Sequence, residues 1–431
     1  MRTVPSIHEL FLTCSNASTD TRNIAPGSMF FALKGPSFNA NAFAAEALEK
    51  GARWAVVDDV KVATDDRFLL VDDVLTTLQQ LATYHRRTFD IPVIGITGTN
   101  GKTTTKELVH TVLSADRTTL ATSGNLNNHI GVPLTLLGLT SEHRIAVVEM
   151  GANKPGDIAE LVNIAEPTHG LITNVGKAHL EGFGSFDGVV RTKTELYAYE
   201  RSHAGHLFVN ADDPLLMERS EGIARTTYGR SPWADLTGAS TDNGTLLNFR
   251  FKGSGGVDRT VTTKLVGGYN LPNALAAVAI GRHFGVPDGV IARALSEYTP
   301  RNNRSQLTDT GKNQLILDAY NANPTSMAVA LENFVKMGTS LPKLAIFGDM
   351  LELGDVAEAE HRRIVELAKQ LGQPCWFVGP LFMAAAKLSE APVFEDAASL
   401  LAHLADRPLN GHLLLLKASR GTKLETIVPA L

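Results

Sequence analysis

The sequence predicts an α/β protein of two or three domains: a central parallel-sheet domain with a phosphate loop, a mixed α/β N-terminal domain and a Rossmann-like C-terminal domain. Three observations carry this expectation. The chain has 431 residues, well beyond the roughly 250–300 at which a single hydrophobic core stops growing. Short apolar runs alternate with helical patterns over 93–210 and again over 315–416, as in parallel sheets covered by helices. Between them, Tyr298-Thr299-Pro300-Arg301-Asn302-Asn303-Arg304 is polar and turn-prone and reads as a linker. The division is then 1–90, 91–300 and 301–431.

The elements follow in order. Residues 28–33 and Trp54–Val57 read as strands, and 42–50 as a helix closed by Gly51. Val74, Leu75, Leu78 and Leu81 fall at helical spacing and place a helix over Val74–Arg87. Its basic end, His85-Arg86-Arg87, reads as favourable charge at a helix C-terminus rather than an anion site. Pro92 precedes the apolar run Val93-Ile94-Gly95-Ile96, then a Gly/Thr-rich loop and a helical pattern. Strands are expected at Ile145–Glu149, 170–175 and 207–210, and an Ala-rich helix over 270–284. Beyond the linker, strands at 315–317, 344–347, 376–378 and 413–416 alternate with helices such as 356–371, the size of a doubly wound domain.

The loop Gly95-Ile96-Thr97-Gly98-Thr99-Asn100-Gly101-Lys102-Thr103-Thr104 is the strongest chemical signal. It follows an apolar strand and opens a helix, as a phosphate loop must. Gly98 and Gly101 let the N–H groups of Thr99, Asn100 and Thr104 turn towards phosphates at a helix N-terminus. Lys102 is expected to reach the β/γ-phosphates of ATP, and the Thr103 hydroxyl to ligate Mg²⁺. Strict Walker spacing asks for glycine at position 96, where this chain has Ile96.

That variant loop resembles the ATP loop of the Mur ligases, ATP-dependent amide-forming enzymes of peptidoglycan synthesis. Glu149-Met150-Gly151-Ala152, Asp318-Ala319-Tyr320-Asn321-Ala322-Asn323-Pro324 and Phe347-Gly348-Asp349-Met350-Leu351-Glu352-Leu353-Gly354 extend the resemblance. They look like the member that joins D-alanyl-D-alanine to UDP-N-acetylmuramoyl-tripeptide, with matching segments from about Ser18 to Arg420. The resemblance implies three domains, for UDP, ATP and acceptor. It implies activation of a carboxylate by ATP to an acyl phosphate, attack by the dipeptide amine, and release of ADP and phosphate.

Residue by residue, the resemblance makes Lys102, Glu149, His179 and Lys193 catalytic, with Thr103, Glu149, His179 and Lys193 at two Mg²⁺ sites. Lys193 aligns with the lysine that the family carbamylates. Asn270 and Asn273 fall near the nucleotide, and Asn270 also reads as an N-cap. Arg304, with Arg301 as rival, matches the linker arginine on the ATP phosphates. Asp318 and Asn321 match the ribose contacts, a sensible role for a strand-end carboxylate. Ser18, Thr21, Arg22 and Lys34 look like the UDP-sugar site, and Asn125 and Asn128 the muramoyl-peptide loop. Asp349, Ser419 and Arg420 fall near acceptor and phosphates. The chain departs from the family at Asn39-Ala40-Asn41, where many relatives carry Asp-Gly-His.

Rival readings are a sibling ligase adding one amino acid, a folylpolyglutamate-type ligase, or a P-loop kinase or ATPase. The non-Walker spacing and the N-terminal motif stand against the last. A net charge of −5, from 40 Lys+Arg against 45 Asp+Glu, argues against broad binding to nucleic acid or anionic membrane. Cys14 and Cys375, far apart and without CxxC spacing, make a disulfide framework or Cys-based zinc site improbable. Met1–Ser15 lacks a secretory pattern, and no apolar run approaches the ~20 residues of a membrane span. A cytoplasmic protein is expected, and family precedent implies a monomer.

Overall fold

The computed structural model describes residues 2–242, 244–300, 306–387 and 389–431. Three main sheets organise the chain. The first is parallel, with strands Ala17–Ser18, Met29–Phe31, Trp54–Val57 and Phe68–Leu70 side by side. Met29, Phe30 and Phe31 are all buried because both faces are covered. One face packs against the short helix Ala44–Glu49, where Ala44, Ala47 and Leu48 recur at helical spacing. The other packs against the helix Val74–Arg87, which begins where the Asp73 carboxylate accepts from Thr76 N.

The apolar core does not break near residue 90. Phe31, Val56, Leu69 and Leu78 share one cluster with Val148 of the central sheet and with Val132 and Leu161 of the helices beside it. The basic end of the helix Val74–Arg87 clasps the neighbouring helix Asp157–Ala165: Arg86 donates to the carbonyls of Ala165 and Glu166, and Arg87 pairs with the Glu166 carboxylate. The basic triplet is therefore framework, and no anion site is formed by it.

The central sheet has nine strands. Val93–Thr97 lies between Ile145–Glu149 and His169–Ile172, with all partners parallel out to Leu236–Ser240. Two further strands, Leu246–Lys252 and Asp258–Val266, extend the sheet antiparallel. Sequence reasoning passes over this hairpin, although Leu247, Phe249 and Phe251 alternate with polar residues and point into the core. The Ala-rich helix Leu271–His283 packs on this side, where small side chains allow close approach to the helix Lys102–Ser114.

The C-terminal sheet has strand order Gln306–Asp309, Gln314–Asp318, Leu413–Lys417, Lys343–Gly348, Cys375–Val378 and Val393–Phe394. Only the first pair is antiparallel. Apolar clusters on both faces make it a doubly wound domain, as expected.

Candidate active site

In the central sheet Ile96 pairs with Glu149, so the phosphate loop and Glu149 leave the carboxyl ends of adjacent parallel strands. Open α/β sheets bind ligands at that edge. Gly98 has φ +137°, and a Cβ there would lie 2.0 Å from Thr173 Oγ1. Gly101, at φ +79°, precedes the helix Lys102–Ser114, and a Cβ would come within 2.9 Å of the Asn273 amide. Neighbouring side chains fix the loop. Thr173 Oγ1 and Asn174 Nδ2 donate to the Asn100 carbonyl at 2.6 and 2.9 Å, and Asn174 Oδ1 accepts from Asn100 N. Lys102 Nζ donates to the carbonyls of Gly98 and Thr99 at 2.8 and 3.2 Å.

Glu149 is 1% exposed. Its Oε1 accepts from Asn127 Nδ2 at 2.7 Å, while Oε2 is buried with no hydrogen-bond partner among the described residues. A buried carboxylate oxygen left without a partner is costly. A cation or its bound water would satisfy it, so the residues fit Mg²⁺, with buried Thr103 on the adjacent helix turn. No group of three or more His, Cys, Asp or Glu side chains among the described residues could hold an ion alone. Mg²⁺ does not need one, since it keeps several waters and shares substrate phosphates.

His179 takes a left-handed backbone, φ +50°, and its Nδ1 pairs with Glu352 Oε2 of the C-terminal domain. Burial lowers the imidazole pKa; Glu352 opposes this, and Lys102 and Lys193 add to it. Lys193, on the helix Phe186–Ser202, is 2% exposed and makes no hydrogen bond or ion pair among the described residues. Its Nζ stands 5.6 Å from the Phe183 ring centre. Burial, reinforced by Lys102, drives its pKa well below the ordinary lysine value, with Asp157 and Glu195 opposing.

The opposite wall belongs to the C-terminal domain. Asp318 and Lys417 are partners in register on adjacent strands, and Lys417 Nζ donates to Asp318 Oδ2 at 2.6 Å and to the Asn321 carbonyl at 3.1 Å. Polar contacts join the walls. Asn323 Nδ2 donates to Asn100 Oδ1 at 2.8 Å, Lys177 N to Thr325 Oγ1 at 3.1 Å, and Lys177 Nζ to Glu360 Oε1 at 2.8 Å. The cavity between them has a volume of about 1050 Å³, at the upper end of the roughly 300–1,000 Å³ range of small-molecule sites.

Family models for the Mur ligase middle domain and for the Mur ligase glutamate ligase domain match residues 96–281 and 303–420. Together they span more than half of the chain. This chain belongs to the Mur ligase family. The UDP-N-acetylmuramoyl-tripeptide–D-alanyl-D-alanine ligase of Bacillus subtilis (strain 168) is 35% identical to this Mur ligase, over 95% of the chain and 92% of the relative. That of Escherichia coli (strain K12) is also 35% identical, over 97% and 94%. A crystal structure of MurF from Acinetobacter baumannii superposes with a TM-score of 0.87 at 31% identity, covering 99% of this chain and 98% of that one. MurF from Thermotoga maritima in complex with ADP superposes with a TM-score of 0.85 at 27% identity, covering 100% and 98%.

In this Mur ligase the cavity brings together Thr99, Asn100, Gly101, Lys102, Thr103, Thr104, Asn125, Asn128, Glu149, His179, Asn270, Asn273, Asp318 and Asn321. Gly98 shapes the loop from beneath, and Lys193 does not line the cavity. Asn270 departs from its expected capping role: it occupies the N-cap position, but its Nδ2 donates to the Val266 carbonyl and its Oδ1 accepts from Asn273 Nδ2. Asn273 Oδ1 in turn accepts from Thr105 Oγ1 at 3.1 Å, tying two helices together.

Other expected site residues lie elsewhere. Asp349 is buried and accepts from Leu381 N and Phe382 N, and Ser419 Oγ accepts from Leu351 N. Both hold the C-terminal framework and neither lines the cavity. Arg420 lies over the Tyr320 ring. Ser18, Thr21, Arg22 and Lys34 also stand outside the cavity: Ser18 closes a turn with Asp20, Arg22 pairs with Asp20, and Lys34 pairs with Asp58. The atypical Asn41 is buried and donates to both Asn39 and Asp58, so it belongs to the Lys34–Asp58 knot. Arg301 and Arg304 lie outside the described residues.

Sequence reasoning names no site role for Asn174 or Glu352, which show themselves only through their partners in space. Asn127 and Lys417 enter it only as members of motifs, 125–128 for the muramoyl-peptide loop and 417–421 near acceptor and phosphates, although Lys417 also ends an otherwise apolar strand.

Proposed function

We propose that this Mur ligase joins D-alanyl-D-alanine to UDP-N-acetylmuramoyl-tripeptide with cleavage of ATP to ADP and phosphate. The observation that carries the reading is the cleft itself. A phosphate loop and a buried, half-satisfied Glu149 on one wall face the Asp318–Lys417 pair on the other, in a chain similar along its whole length to ligases of that name. A tripeptide carboxylate oxygen attacks the γ-phosphorus, ADP leaves, and an acyl phosphate forms. The acceptor amine then attacks the acyl carbon, phosphate leaves, and the amine proton is lost to solvent.

Each wall has a task in that sequence. The loop N–H groups and Lys102 receive the nucleotide phosphates, and Asp318 and Asn321 face the ribose. Glu149 and Thr103 would hold one Mg²⁺, and His179 with a modified Lys193 a second. Bound Mg²⁺ would offset repulsion between carboxylate and γ-phosphate. A buried amine whose pKa is driven down suits carbamylation at Lys193: its lone pair adds to CO₂ and one proton is released, giving a carboxylate-like ligand. The Lys193→Ala variant is expected to be nearly inactive and partly rescued by short carboxylic acids; normal activity would remove the carbamate from the mechanism.

The reading further holds that the domains span 1–90, 91–300 and 301–431, that Arg304 contacts the ATP phosphates, and that the N-terminal residues Ser18, Thr21, Arg22 and Lys34 serve the UDP end. The enzyme would act in the cytoplasm as a monomer. No described helix is long and apolar enough to cross a membrane. The deciding assay supplies ATP, Mg²⁺, UDP-muramoyl-tripeptide and D-Ala-D-Ala and follows ADP release. Turnover lacking either substrate, or equal turnover with single L-amino acids, would overturn it.

A further inference from the structure

Five carboxylates line the cleft: Glu149, Asp157, Glu160, Asp318 and Glu352. Four of them have donors outside the C-terminal loop that carries the fifth. Glu149 accepts from Asn127, Asp157 from the Asn153 and Lys154 amides, Glu160 from Gln79, and Asp318 from Lys417. Glu352 has no hydrogen bond or ion pair within its own domain among the described residues. Its contact is His179, across the cleft.

The loop that carries Glu352 is fixed from several sides. Asp349 is held by two amides at the start of the helix Pro380–Ala385, Met350 N donates to buried His361 Nε2, and Leu351 N donates to Ser419 Oγ. On this base Glu352 takes a left-handed backbone, φ +63°, unusual for a residue with a side chain. Gly354 follows at φ +57° and seats the loop against Glu181. A rigid platform thus presents one carboxylate, more than half exposed, at the side of the cleft where His179 lies within electrostatic reach of Lys102 and Lys193.

Lys102 makes that region positive, which suits phosphates and repels a second cation. The acceptor of the proposed reaction brings an ammonium group to the same place. We propose that Glu352 is the specificity-determining anchor for the ammonium end of the acceptor, offsetting that repulsion and aiming the nitrogen at the acyl carbon. The inference rests on the amine-accepting reaction proposed above.

The test compares wild type with Glu352→Gln and Glu352→Asp in the full enzyme. KM for D-Ala-D-Ala is measured alongside KM for ATP and for the UDP-precursor and the Mg²⁺ requirement. Inhibition by N-propionyl-D-alanine, which lacks the amine, is measured on each protein. The expected result for Glu352→Gln is a rise of about tenfold or more in KM for D-Ala-D-Ala, with the other constants within about twofold. Preference for the amine-bearing ligand over N-propionyl-D-alanine should collapse in Glu352→Gln and survive in part in Glu352→Asp. A parallel rise in all three KM values, or a shifted Mg²⁺ requirement, would mean that Glu352 acts on domain closure or on His179, and the proposal falls. A wild-type enzyme inert towards D-Ala-D-Ala but active on another amine would overturn the proposed substrate instead. The same comparison is then made on that amine and is judged by the same outcomes.

Discussion

Glu200 is completely buried, and neither carboxylate oxygen has a hydrogen-bond partner among the described residues. Gly205 makes room for it, since a Cβ there would fall 1.7 Å from Oε2. Burial raises the Glu200 pKa from 4.5 to about 8, so the group is mostly a neutral acid at pH 7. The folded state binds this proton more tightly than the unfolded chain. Its stability contribution is complete below pH 4.5 and declines as pH rises to about 8. Glu200→Gln should flatten the alkaline limb of a Tm–pH curve and raise stability above pH 8 by up to about 4–5 kcal/mol; an unchanged limb would show that the carboxyl is not buried. His169 has the opposite sign. With His206 and His283 it forms a contact group at the sheet end away from the phosphate loop, and burial followed by its two histidine neighbours lowers its pKa from 6.5 to about 4. Its contribution is present above pH 6.5 and lost as pH falls towards 4, so His169→Gln should soften acid unfolding in that window. Glu149 is legible in the sequence because it ends an apolar strand. Glu200, between Tyr199 and Arg201 on a helix, gives no such cue, because a residue's depth is decided by what packs on it from elsewhere.

Among elements, the phosphate loop was the most legible because its chemistry is local. A strand, two glycines in positive φ and a helix start suffice to form it. Its fixation was not legible, since Thr173, Asn174 and Asn273 arrive from distant parts of the chain. Asn273→Ala would strand the Thr105 hydroxyl and the Asn270 side-chain oxygen Oδ1. Loss of two such bonds is expected to cost about 1–3 kcal/mol of stability and to weaken nucleotide binding, measured by thermal melts and calorimetric titration. Gly98→Ala should abolish nucleotide binding with the fold intact by circular dichroism, because its Cβ has no space beside Thr173. The antiparallel hairpin Leu246–Val266 was missed for a different reason. Its alternation is readable, but a search for parallel strand–helix units has no place for it.

At the scale of the molecule, the N-terminal and central domains share an apolar core, whereas the central and C-terminal domains meet at the cleft largely through polar groups. One apolar cluster runs across residue 90, and across residue 300 Val266 of the central sheet, with Leu246 beside it, joins the C-terminal cluster. Gly176 lies where the walls touch; a Cβ there would sit 2.9 Å from Thr325 Oγ1. Gly176→Val should keep the walls apart, leave nucleotide contacts of the central domain in place and remove turnover. Small-angle scattering of the variant with ATP should give a larger radius of gyration than wild type; equal radii with normal turnover would rule out any need for this contact.

Asn323 begins the helix Pro324–Lys336 with a capping box, and the same side chain grips Asn100 in the phosphate loop. The positive end of a C-terminal helix thereby lies against the ATP loop. Nucleotide affinity and domain closure then become two readings of one coupling free energy. Whatever factor ATP contributes to closing the cleft, closing the cleft must return to ATP affinity. A ligand that wedges the domains apart anywhere along their polar seam would weaken ATP without touching its site.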